Sequence, residues 1–556
     1  MKNRKVDFYT ILPIPAYLVM VLLFLLPVSS ILKEAFYLDG KFSFYHIKEA
    51  LFSSYTLSVL FFTLKQALDS TLVSLLLGLP GAFILAKTKI KGKKIINAFC
   101  TIPFVLPAIF VVLGFVIFYG NNGVINKLFM SVFSLEEPPF KILYSYKAII
   151  LAHAFYNFPI VLILVERYLE NLDSRIEMAS LTLGASRLKT FIFVTIPRVL
   201  PIILSSSFLV FLFCFSSFSI ILVLGGGPKF TTMEVEIYQR ARTRLDIPSS
   251  SAFALISIAV SVILLLIYIY IQKKTKHTEY GGVIYSKKTS KVLMTLAIIY
   301  AIAITFFVLG PIISIIVKSF IVPGTRGRAD TFSFKWYSIL FGFENSTGAL
   351  KTSTTALISS FSIALLVALL SIPTAAAISY SAVKNKGLQS SLIEILGMLP
   401  MAVSSVIIGL GYFIISSIFY KNATMNFILV VLAHLVISIP FALRSILPEM
   451  RKIPLTYAKA SRSLGASKMK TFFLIELPML KSALLSGAVF SFALSMGEIN
   501  ATLTLSSGKI TTLPIVMYRL IGSYQYNAAA AIGTILIITC LLVFILSDTK
   551  RNTYGE

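Results

Sequence analysis

The sequence predicts an all-α polytopic membrane protein with about twelve transmembrane helices, and three observations predict it. Hydrophobic residues make up 57% of the 556 positions against 13% charged, and the mean hydropathy is +0.87, outside the range of soluble domains. Apolar runs of the roughly 20 residues needed to cross about 30 Å of hydrocarbon recur along the whole chain. The two halves of the chain also repeat one another. A membrane barrel would show short alternating strands instead.

Apolar runs read against charges and turn residues place spans near 9–32, 56–86, 98–119, 147–168, 199–223 and 251–271. Six more follow near 292–317, 353–380, 391–417, 427–446, 481–503 and 528–546. The second and eighth runs are long enough to require tilt or extension beyond the bilayer. The basic start MKNRK leads into a long apolar run without a small-residue cleavage pattern, which reads as an uncleaved first span.

Lys and Arg favour the cytoplasmic side. With MKNRK inside, KTKIKGKK (87–94), KKTKHTEYGGVIYSKKTSK (273–291) and the C-terminal tail fall inside as well, so both termini are expected to be cytoplasmic. The net charge of +27 is then accounted for by topology and anionic lipid, and calls for no nucleic-acid partner. Cys100, Cys214 and Cys540 stand singly in apolar runs, with no metal or redox spacing.

His153 and Pro159 align with His434 and Pro440 at an offset of 281, and the offset holds through Gly184/Gly465 and Pro197/Pro478. Pro80/Pro373 and Pro107/Pro400 align at 293, so the first half carries 12 extra residues between its third and fourth spans. The expected organisation is a first six-span unit at 1–271, a polar cytoplasmic linker at 272–291 and a second six-span unit at 292–556. An even number of spans per unit makes the repeats parallel, related by an axis along the membrane normal.

The most similar aligned stretches lie between the fourth and fifth spans of each half, in loops 169–198 and 447–480. ASLTLGASRLKTF (179–191) faces ASRSLGASKMKTF (460–472), and ten of the 21 positions 177–197 and 458–478 are identical. Residues 175–183 read as a short helix ended by Gly184 in the left-handed conformation. Ser186 is expected to cap a second short helix, which Pro197 limits. Gly465, Ser467 and Pro478 repeat this arrangement. GASRLKT and GASKMKT lack the glycine that a phosphate-binding loop places before its lysine, and follow no strand, so no nucleotide site is expected.

These loops carry a family resemblance. A small-residue pair, a Gly, and a Pro thirteen positions later in VTIP (194–197) and IELP (475–478) resemble the "EAA" loop of binding-protein-dependent ABC importer permeases. Two fused six-span units of this length, with LGGGPKFTTMEVEIY and TTLPIVMYRLIGSY, resemble the ferric iron and thiamine permease branch. The resemblance implies a type I importer permease fold in a bacterial cytoplasmic membrane, with ferric iron or thiamine as cargo. It implies that each loop docks on one subunit of a cytoplasmic ATPase dimer, that a solute-binding protein delivers cargo, and that ATP is used by the partner, this chain holding no cofactor and performing no catalysis. The coupling residues it implies are Ala179, Ser180, Gly184, Ala185, Ser186 and Arg187, with Ala460, Ser461, Gly465, Ala466, Ser467 and Lys468. Where the family pattern has Glu, six residues before the Gly, this chain has Met178 and Lys459, with Glu177 one place off.

Ionisable residues at membrane depth are candidates for the substrate pathway. Glu498 and Asn500 close the eleventh span, where a carboxylate could meet a cation. His153 and Asn157 share a helical face, and His434 recurs in the second half; each could equally be a structural hydrogen bonder. GGGP (225–228) with the following segment could gate the path or form an ordinary turn. No residue spacing defines a metal site. A gradient-driven secondary transporter with twelve spans is the alternative, but it would leave the doubled loop without a role; a membrane enzyme would need paired catalytic residues that are not found.

Overall fold

A computed structural model describes residues 14–552 except 89–91, 226–227, 276–290, 325–328, 346, 386, 419–421, 507 and 509. The MKNRK start, most of the 272–291 linker and two glycines of GGGP therefore lie outside the described residues. Ten helices are long and apolar enough to cross a membrane, and two pairs bent by 87° and 70° raise the number to twelve if each pair is one span. The chain is thus an all-α polytopic protein whose spans fall where the apolar runs place them. Polar residues just outside the runs start several of them: Ser53, Ser145 and Asn422 accept hydrogen bonds from the backbone N–H of Thr56, Ala148 and Met425.

Four expected spans are interrupted, among them the fifth, between Phe215 and Ser219, and the eleventh, between Gly497 and Asn500. The third divides at Leu106–Pro107 into helices Lys93–Val105 and Ala108–Tyr119, because a residue before proline is forced towards extended backbone; Leu106 sits at φ −76°, ψ 145°. The ninth breaks a few residues later than the third, past Pro400: a 3-10 turn spans Leu399–Ala402, Val403 is extended, and Gln389–Ala402 and Ser405–Ser417 meet at 87°. Elsewhere Pro80, Pro159, Pro373 and Pro440 lie inside helices without ending them, as neighbouring helices allow in a bilayer.

The chain forms two compact units, and neither follows the sequence repeat. One comprises Met1–Leu51, Glu236–Ile256 and Ser319–Glu556; the other comprises Phe52–Val235 and Ser257–Lys318. In the former, the first span, Ile14–Phe36, packs on spans of the second repeat. Gly411 lies so close to Pro27 that a Cβ there would approach its carbonyl oxygen to 2.4 Å, and Tyr412 Oη donates to the Leu23 carbonyl at 2.7 Å. The core there gathers Met20 with Ile378, Leu435, Ile439 and Leu443. In the latter, the seventh span, Lys291–Ser319, packs on the first repeat. Tyr300 fills the space beside Gly81 and donates to the Leu77 carbonyl at 3.0 Å. Small residues permit such approaches, and the buried hydroxyls find carbonyl acceptors that lipid could not supply.

Candidate functional site

The first loop folds as helix Arg175–Thr182, a turn, and helix Arg187–Thr190. Gly184 has φ +86°, the left-handed conformation that side chains disfavour. The Gly184 N–H donates to the Leu181 carbonyl and the Ala185 N–H to the Ser180 carbonyl, both at 3.1 Å, so a Schellman motif satisfies the helix end. Ser186 Oγ then accepts from the Lys189 N–H at 3.3 Å and starts the next helix. Ser180 Oγ and Thr190 Oγ1, 3.0 Å apart, tie the two helices together.

The second loop repeats this geometry. Helices Leu455–Ser463 and Lys468–Thr471 flank Gly465 at φ +85°. The Gly465 N–H donates to the Arg462 carbonyl and the Ala466 N–H to the Ser461 carbonyl at 3.1 Å. Ser467 caps Lys470 at 3.2 Å, and Ser461 and Thr471 stand 3.0 Å apart. Ser186 and Ser467 share φ −65°, ψ 158°. Identical residues thus hold identical positions for stated reasons: Gly for the turn, Ser186 and Ser467 as caps, Ser180 with Thr190 and Ser461 with Thr471 as cross-links.

Each turn presents an aliphatic side chain that the sequence reading did not single out. Leu183 is 88% exposed and Leu464 is 89% exposed, and both lie outside the membrane-crossing helices. Their identity in the two copies was the available signal. Ala179, Arg187 and Ala460 are also exposed, while Ala185, Ala466 and Lys468 are half-buried.

Pro197 does not end the second helix as expected. Phe191–Thr195 forms a π-helical turn, closed by the Ile196 N–H on the Phe191 carbonyl, and the chain runs on as helix Ile196–Phe215 with the proline in its first turn. Phe472–Glu476 forms the same π-helical turn before Pro478, but there the helix ends at Met479 and the next, Lys481–Gly497, leaves at a 70° bend. A widened turn accommodates a ring that lacks an N–H and would clash with the preceding turn of a regular helix.

The two loops are fastened differently. Glu177 Oε1 accepts from Thr195 Oγ1 at 2.6 Å within the first loop. At the positions equivalent under the 281 offset the second has Ala458 and Glu476, and buried Glu476 instead pairs with Lys384 at 2.7 Å, at the end of helix Ser353–Lys384.

The membrane-depth candidates are buried and engaged. His153 lies between the hydroxyls of Ser70 at 3.1 Å and Ser217 at 2.8 Å, and His434 between those of Ser495 at 2.9 Å and Thr502 at 2.7 Å. Asn157 donates to the His153 carbonyl at 2.9 Å. Glu498 Oε1 accepts from the Ala501 N–H at 2.9 Å where the eleventh span breaks, and Asn500 donates to Ser405 at 3.0 Å. The structure therefore gives His153, His434, Glu498 and Asn500 partners within the protein, across helix–helix contacts and at a helix start. Among the described residues no three His, Cys, Asp or Glu side chains converge as a metal site.

Comparison with known proteins agrees with this architecture. Residues 78–277 match the family described as binding-protein-dependent transport system inner membrane component. A thiamine transport system permease protein of Brucella abortus (strain 2308) is 28% identical over 520 residues, covering 91% of this chain and 90% of the relative. That of Escherichia coli (strain K12) is 26% identical, covering 88% of each chain. A ferric transport system permease protein of Actinobacillus pleuropneumoniae is 26% identical, covering 86% of this chain and 69% of the relative. With two loops of one geometry, a run of apolar helices and relatives matched along nearly the whole length, residues 78–277 belong to the inner-membrane component of binding-protein-dependent transport systems, and the chain as a whole is a permease similar to those of thiamine and ferric transport systems.

Proposed function

We propose that this permease imports thiamine, and that its two loops are the points at which a cytoplasmic ATPase dimer drives it. Thiamine is favoured over ferric iron because the thiamine permeases match most of their own length as well as most of this chain, whereas the ferric permease is covered over 69%. The docking reading is supported by one observation above the rest: two separate segments hold the same turn and cap geometry and expose the same residue, Leu183 and Leu464. A surface that transmits rigid-body motion needs defined structure, and two ATPase subunits require two such surfaces. In this reading both loops and both termini are cytoplasmic, a solute-binding protein supplies cargo from the opposite side, and ATP is hydrolysed by the partner.

The test is reconstitution of the permease with its ATPase and binding protein. Nothing lies within 4 Å of a Cβ placed on Gly184 or Gly465, so Val at both acts on the backbone alone, at about 1–2 kcal/mol per left-handed residue. Thiamine-stimulated ATP hydrolysis should be lost while the protein still elutes as a folded species. Stimulation unchanged in the double variant would refute docking through these turns; stimulation by ferric ion and not thiamine would reassign the cargo.

A further inference from the structure

The first and seventh spans each lead into the same small aromatic device. After Ile14–Phe36 the chain makes a two-stranded hairpin, with Tyr37 opposite Phe42 and Leu38 opposite Lys41, around Asp39 and Gly40 at positive φ. After Lys291–Ser319 a second hairpin pairs Ile321 with Phe332 and Val322 with Thr331. Both end in Phe-Ser-Phe, at 42–44 and 332–334.

The rings are arranged alike. Phe36 and Phe42 stack at 5.6 Å and 6°, Phe320 and Phe332 at 5.4 Å and 13°. Phe44 stands edge-on to Phe36 at 5.4 Å, and Phe334 edge-on to Phe320 at 5.3 Å. The Ser43 N–H donates to the Phe36 carbonyl at 2.7 Å and the Ser333 N–H to the Phe320 carbonyl at 2.8 Å. Despite this packing Phe42 is 62% exposed and Phe332 72%. Two copies of one geometry, each leaving phenylalanine uncovered, call for an apolar partner.

Depth identifies it. Ile14–Phe36 has 23 residues, about 34 Å at 1.5 Å per residue, against roughly 30 Å of hydrocarbon. The first triad therefore begins where hydrocarbon gives way to headgroups. Leu22, Leu25 and Leu32 of the same span are exposed, so an uncovered apolar surface leads up the helix to the hairpin. Exposed Lys41 and Lys335 stand beside the rings, placed to reach phosphate while the rings stay in the acyl boundary. We infer that the two hairpins are interfacial anchors whose partner is the headgroup boundary of the bilayer, pinning the depth of the first and seventh spans. The inference needs a bilayer only and is independent of cargo and ATPase.

Trp336, in the second device, is the only tryptophan of the chain, and its Nε1 donates to the Ile321 carbonyl at 2.9 Å. The native full-length protein in nanodiscs, with lipids brominated near the carbonyl or near the chain end, reads its depth without substitution. Phe42→Trp in a Trp336→Phe background reads the first device. Shallow bromine should quench each fluorophore at least about twofold more than deep bromine, as an interfacial aromatic requires. No quenching at either site, or stronger quenching by deep bromine, overturns the inference. A spectral change that comes only with added solute-binding protein, without prior bromine quenching, assigns the surface to a protein and overturns it too.

Discussion

The two loops share a skeleton and differ in what holds it. Gly184 and Gly465 adopt the same φ within a degree, and their capping serines the same φ and ψ. Yet the first loop is closed on itself by Glu177 and Thr195, while the second is tied by Glu476 to Lys384 on another helix. Near the start of each loop the contrast recurs with sign reversed. Glu170 pairs with Lys93 at 2.7 Å, and Arg451, its equivalent under the 281 offset, pairs with Glu394 at 2.7 Å. The shape of a docking surface admits few solutions, whereas the means of bracing it is free to vary as long as each buried charge keeps a partner.

The largest expected difference between the loops follows from burial. Glu476 is 6% exposed and Lys384 22%, so Glu476→Ala takes the carboxylate away from a mostly buried ammonium and should cost on the order of 3 kcal/mol. Glu177→Ala, which strands only the Thr195 hydroxyl, should cost about 1 kcal/mol. Thermal unfolding of the two variants in nanodiscs measures the gap, and equal shifts in Tm would erase the asymmetry. Ser186→Ala and Ser467→Ala should each cost about 1 kcal/mol and, because the caps are the same, cost it equally; unequal losses would break the shared skeleton. Smallest is the exposed pair: exchanging Arg451 and Glu394 should move stability by less than about 0.5 kcal/mol, and a larger change would show that this bridge braces the second loop.

The spans and the loop turns were legible because each rests on local chemistry, apolar length in one case and a Gly-x-Ser cap in the other. Three features were not. Pro197 read as a stop, yet its helix continues to Phe215, since a widened turn braced by a neighbouring ring, Phe83 on Phe191 at 5.3 Å, absorbs the proline; the matching turn at Phe472, with Tyr380 at 4.8 Å, is followed by a break after Met479. The bracing roles of Glu177 and Glu476 could not be read, because their partners, Thr195 and Lys384, lie 18 and 92 positions away. The aromatic devices escaped because their offset, 284 at Phe36/Phe320 and 290 at Phe42/Phe332, matches neither offset that marks the repeat. Among the substrate-pathway candidates, polarity at membrane depth was visible, but not that His153 and His434 would each find two hydroxyl partners.

The unit to which the first span belongs also includes residues 319–556, and this has a consequence for biosynthesis. Residues 52–318, of which only Glu236–Ile256 belong to the same unit, are made in between, which at 5–20 residues per second is a delay of roughly 15–50 s. Throughout that interval the first helix is in the bilayer without Gly411 and Tyr412, the residues that later grip Pro27 and Leu23. It must wait as a lone apolar helix, stable in lipid because its backbone is already satisfied, and then recruit its neighbours as they emerge. A chain cut between the repeats would have to meet the same demand across two polypeptides, so the order of synthesis and the continuity of the chain are part of how this permease assembles.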